Sequence, residues 1–179
     1  MMNKENLELM AQYNQWMNES VYVSAQTLSA DELSRDRGAF FKSILGTLNH
    51  IMVGDLIWLN RFSRHSTNFE SLNSLNHWPL PNALTNIIHT NIEELWQSRR
   101  ALDDLIIGFV QEISPLDLNE TLNYHNMAGD AQHKRFGLLL THFFNHQTHH
   151  RGQVTTLLSQ QGIDVGVTDL LALISDENH

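Results

Sequence analysis

The sequence contains no cysteine. Without thiols there is no disulfide framework, no cysteine-ligated zinc site and no thiol nucleophile, and a reducing compartment suits such a chain. Proline is scarce, three in 179 residues, so little interrupts helix formation. No stretch approaches the roughly 20 consecutive apolar residues of a membrane span. The N-terminal Met-Met-Asn-Lys-Glu-Asn-Leu-Glu also lacks an apolar signal core. A cytoplasmic location and no membrane partner are therefore expected. Basic residues are few as well: 11 Lys and Arg stand against 20 Asp and Glu, a formal net charge of −9. A broad phosphate-binding surface needs clustered Lys and Arg, so nucleic acid is not an expected partner.

What the chain does contain is helical periodicity. Forty-one per cent of its residues are hydrophobic, enough for the core of one domain spanning residues 1–179. Residues 5–28 place Leu7, Met10, Ala11, Met17 and Val21 at helical spacing, with Tyr13 and Trp16 beside them as packing residues. Ser29-Ala-Asp-Glu32 has the form of a capping box. Residues 40–63 predict the most buried helix, because Ile44, Leu48, Ile51, Met52, Leu56 and Leu59 surround nearly its whole circumference. A polar crossing loop follows at 64–82, then a third helix at 83–113, with Ile87, Ile88 and Ile92 on its packing side. Residues 114–134 read as a small hairpin around Met-Ala-Gly-Asp. The fourth helix runs from Arg135 to Gln161, with Gly162 as its C-terminal cap. An all-α fold, a four-helix bundle with one long crossing loop, is the predicted architecture.

The chemistry concentrates in Thr-His-Phe-Phe-Asn-His-Gln-Thr-His-His-Arg-Gly-Gln at 141–153. His142, His146 and His150 recur every four residues, a helical offset of about 40° with about 6 Å of rise, so their imidazoles share one face. Two such rings hold one transition-metal ion if a third ligand arrives from elsewhere, and His50 in the most apolar helix is the candidate donor. A single histidine on an apolar face is usually structural. A His-x-x-x-His pair on a packing stripe points more strongly to metal. No Glu follows His146, so the zinc-protease pattern His-Glu-x-x-His and its general base are absent. His142 and His149 are candidates for a fourth ligand or a proton carrier.

Around His50, Gly46 and Gly54 stand at i−4 and i+4. Each costs about 1 kcal/mol against alanine in mid-helix. Close helix packing would explain them, and so would space above a metal. Asp55 lies about 140° around the helix from His50, which suits a supporting or surface role rather than ligation. Arg61 and Arg151 are candidates for gripping an anionic substrate, although arginines near such sites are usually solvated surface. Trp58 reads as core rather than as a substrate platform.

The chain resembles the DinB family of damage-inducible, metal-binding helical proteins, distinct from the DNA polymerase of the same name. The resemblance rests on Tyr-Asn-Gln-Trp-Met-Asn at 13–18, Phe-Phe-Lys-Ser-Ile-Leu-Gly-Thr-Leu-Asn-His-Ile at 40–51, Asp-Leu-Ile-Trp-Leu-Asn-Arg at 55–61 and, most specifically, Phe-Asn-His-Gln-Thr-His-His-Arg-Gly-Gln at 144–153. It implies a DinB/YfiT-like four-helix bundle with crossed connectivity, often a homodimer, with a metal on three histidines that match His50, His146 and His150. Relatives of known activity include thiol-cofactor-dependent transferases and a maleylpyruvate isomerase.

Two functions follow as expectations. The first is a metal-dependent enzyme, a hydrolase or a thiol-dependent S-transferase. There a divalent ion, zinc or nickel foremost, keeps an open coordination position for water or for a small thiol or other small-molecule substrate. The alternative is a stress protein that binds metal or a small ligand without turnover.

Overall fold

The computed structural model describes residues 3–176. Five α-helices carry most of it: α1 (Lys4–Ala25), α2 (Ala30–Ser34), α3 (Ile44–Phe62), α4 (Ile92–Glu112) and α5 (Phe136–Ser159). An antiparallel hairpin of β1 (Thr121–His125) and β2 (Ala131–Arg135) joins α4 to α5. The protein is thus mostly helical with one small sheet. Among the described residues no helix is long and apolar enough to cross a membrane.

Local chemistry sets most boundaries. Ser29 and Glu32 form the expected reciprocal capping box at the start of α2. Ser43 caps α3 through Gly46 N at 2.9 Å. This places the helix start at Ile44, because Lys42 takes a left-handed φ of 67° that no helix continues through. At the far end of α5, Gly162 adopts φ 75° while Ile163 N reaches back to Leu158 O at 3.1 Å, the glycine-terminated stop expected there.

The third long helix begins later than its periodicity suggests. Residues 83–91 are not helical, and Ile87 is exposed. The buried Asn49 amide explains the difference, since its Oδ1 accepts from Ile88 N at 2.7 Å and His89 N at 3.1 Å and its Nδ2 donates to His89 O at 3.0 Å. These bonds satisfy backbone that a helical turn would otherwise satisfy. Asn91 then caps α4 through Glu93 N and Glu94 N.

Helix α1 packs on α4 and α5, and α3 packs on α5. Phe62, Phe109, Phe136 and Phe143 fill the core near the hairpin end. The apolar circumference of α3 is consumed within this one chain: Leu48, Ile51, Met52, Leu56 and Leu59 are all at most 2% exposed.

Candidate metal centre

Three histidines converge where α3 faces α5. One donor atom from each of His50, His146 and His150 lies within 4.8 Å of the others, and among the described residues this cluster contains no carboxylate. His50 Nε2 and His146 Nε2 are 3.1 Å apart. Two imidazole nitrogens, each about 2.0–2.1 Å from a shared tetrahedral ion, would sit about 3.3 Å apart. The donor set therefore fits a divalent transition ion.

The outer nitrogens fix the tautomers. His50 Nδ1 faces the Leu84 carbonyl at 3.0 Å and donates to it, which leaves an unprotonated Nε2. His150 Nδ1 donates to Gln153 Oε1 at 2.8 Å with the same consequence. The Gln153 amide in turn contacts His149 Nε2 at 3.2 Å. Burial is the first cause that holds all three imidazoles below the ordinary histidine pKa. For His50 and His150 the Leu84 and Gln153 bonds oppose it. His146 is pushed down to about 3 by burial and then by its neighbours His150, His50, His142 and His149. All three are neutral near pH 7, the form in which imidazole ligates metal.

Sterics hold the rings in place. A Cβ on Gly54 would fall 2.6 Å from His146 Cε1, so the glycine lets the α5 imidazole lie against α3. Gly46 has a different cause: a Cβ there would meet the Phe41 carbonyl oxygen at 2.2 Å. Because residues 40–42 turn instead of continuing the helix, the Phe41 ring folds over the site. It stacks on His50 with centroids 3.6 Å apart and meets His150 edge-on at 5.5 Å.

His142 and His149 lie outside the cluster. The His142 ring is 6.1 Å from that of His146 and packs against Trp58, while exposed His149 meets the His150 ring edge-on at 4.9 Å and shares Gln153 with it. Trp58 is only partly buried, and Arg61 lies over it at 4.6 Å and over Tyr124 at 5.0 Å. It faces a cleft as well as core, contrary to expectation. Tyr13 is buried with its hydroxyl on Thr168 O at 2.7 Å, and Trp16 packs beside it.

Asp55 and Arg151 are not surface groups. Asp55 is fully buried, paired with Arg99 Nη1 at 2.5 Å and accepting from Gln147 Nε2 at 2.8 Å. Arg99 also meets Asp103 at 2.9 Å, and Asn14 and Asn18 of α1 donate to Asp103. Arg151, 2% exposed, donates to Asn14. Two acids and two bases are thus buried together with no net charge, joining α1, α3, α4 and α5. Helix α5 carries two stripes: His146 and His150 turn to the cluster, while the adjacent Gln147 and Arg151 turn into this polar core. The sequence held a signal for it, a repeated pairing at 146–147 and 150–151, together with Arg99 and Asp103 at i, i+4 among apolar neighbours.

The DinB family model matches residues 1–178. The protein DinB of Bacillus subtilis (strain 168) is 28% identical over 159 residues, which is 88% of this chain and 87% of the relative. No solved structure matches significantly.

Proposed function

This chain belongs to the DinB family, and from that premise we propose that it is a metal-dependent enzyme, a hydrolase or thiol-dependent transferase, with one divalent ion on His50, His146 and His150. The observation that carries the reading is the convergence of three neutral imidazoles, with the outer nitrogens of His50 and His150 engaged elsewhere. Zinc or nickel suits such a set, with availability deciding between them. When bound, the ion supplies Lewis acidity that lowers the pKa of a coordinated water or thiol. The chain's own residues do the rest. Leu84 O and Gln153 orient two of the rings, Phe41 shields them from bulk water, and His149 and His142 are placed beside the cluster as proton carriers. The whole chain is proposed as one domain, a four-helix bundle with residues 63–91 as the crossing connection, working in the cytoplasm.

Three neutral ligands leave a dipositive ion with its full charge and at least one position for water, hydroxide or substrate. A cobalt-substituted sample titrated with azide or a small thiol should therefore change its visible spectrum. No change at saturation, with His142 or His149 found on the metal, would mean a closed site and defeat the enzyme reading. The binding-only alternative draws support from the absence of a carboxylate base in the cluster. It would be favoured by an open site that shows no turnover in hydrolase and thiol-transfer assays.

Association into a homodimer is proposed from the family resemblance alone. Light scattering at micromolar concentration should give twice the 20.6 kDa chain mass, and a monomer at all concentrations would rule it out.

A further inference from the structure

A cleft of about 530 Å³ opens where the hairpin meets α3 and α5, a volume within the usual range for small-molecule sites. Its aromatic side is Trp58 of α3 and Tyr124 of β1, packed edge to face with centroids 5.4 Å apart. Leu138 and Leu139 in the first turns of α5 add apolar wall, and Leu138 is left 62% exposed. Lys134 and Arg135, at the end of β2, complete the lining. Lys134 pairs with Leu122 across the hairpin, so it leaves the sheet on the same face as buried Leu122 and Tyr124. Arg61 lies over both rings of the aromatic pair.

Charge decides what the cleft takes. In a chain of net charge −9, three cations gather around one apolar cavity. Among the described residues none of Arg61, Lys134 and Arg135 forms an ion pair with a carboxylate. Rings and leucines favour an apolar or planar body, and unpaired guanidinium and ammonium groups favour a carboxylate or similar anion. The cleft also borders the histidine cluster: His142 lines it and packs against Trp58 at 5.1 Å, and its ring is 6.1 Å from that of His146.

We propose that the cleft formed by Trp58, Tyr124 and Leu138 with Lys134 and Arg135 binds a small organic anion with a ring or extended apolar body, next to the metal centre. As a statement of substrate class this rests on the enzymatic reading above; as a statement of binding it stands without metal. Arg61 positions the two rings and adds positive charge to their faces. Lys134 and Arg135 hold the anionic group.

The test is calorimetric titration of cinnamate and of neutral cinnamamide into metal-free and metal-loaded protein. One-site binding of cinnamate to both forms is expected, with the amide about tenfold or more weaker because it lacks the charge-assisted bonds. Lys134 is exposed on the hairpin, so Lys134→Glu should fold normally and lose about tenfold in cinnamate affinity, with Lys134→Gln falling between. Equal affinity for acid and amide, or no saturable binding to either form, would overturn the proposal. So would cinnamate binding that needs metal and ignores Lys134→Glu, because the ligand would then sit on the ion. Binding to metal-free protein together with no metal on the histidines would sink the metal centre and leave the cleft standing.

Discussion

Alanine in place of His50, His146 or His150 is expected to lower metal affinity at least about a hundredfold while helical circular dichroism persists. Each ring is one of three donors gathered within 4.8 Å, and no carboxylate stands ready in the cluster to replace it. Alanine is the best helix former, and all three positions lie inside helices. Metal loss should therefore be separable from unfolding. His142→Ala and His149→Ala should keep the ion. Metal analysis of untagged protein decides the matter, and full stoichiometric metal in all three variants would refute the assignment. Acid titration of metal-free protein gives a second reading. The His146 pKa is near 3 when folded and ordinary, about 6.5, when unfolded. The unfolded chain therefore binds the proton first, and stability falls as pH drops from about 6.5 toward 3. The slope is at most about 1.4 kcal/mol per pH unit, reduced by water reaching a half-buried ring. His146→Ala should flatten that fall.

The shared face of His146 and His150 was legible because i, i+4 placement on a helix is local geometry that spacing alone encodes. The hairpin and the caps at Ser29 and Gly162 were legible for the same reason, since turn and cap chemistry lies within a few residues. Contacts distant in sequence were not. Helix α4 starts at Ile92 because Asn49, some forty residues away, takes the backbone groups of 88–89. Phe41 covers the cluster because Lys42 turns the chain before α3, and nothing in an apolar Phe-Phe pair announces a lid. Trp58 and Arg61 share a face with Tyr124, which arrives from a different element. Asp55 and Arg151 looked like surface or substrate groups because a lone charge in a helix is usually solvated. Their burial is decided by partners distant in sequence, Arg99 of α4 and Gln147 of α5 for Asp55 and Asn14 of α1 for Arg151.

Asp55→Ala is expected to destabilise the protein by about 3–5 kcal/mol, the cost of leaving a buried charge without its partner. Arg99 is 1% exposed and would keep only Asp103, and the Gln147 amide would lose its acceptor in the same dry interior. In a chain of this size that corresponds to a fall of roughly 10 °C in the melting temperature of metal-free protein. The double variant Asp55→Leu with Arg99→Met should lose less, because it removes both charges and fills their volume with apolar atoms. That ordering separates a charge effect from a simple packing defect. Because Gln147 is the neighbour of His146 on α5, loosening its anchor also frees the ring that rests against Gly54, so the Asp55→Ala protein should bind metal about 10–100-fold more weakly while keeping all three ligands. An Asp55→Ala melting temperature within about 2 °C of the parent, with unchanged metal affinity, would mean that the buried network neither stabilises the fold nor sets the orientation of α5.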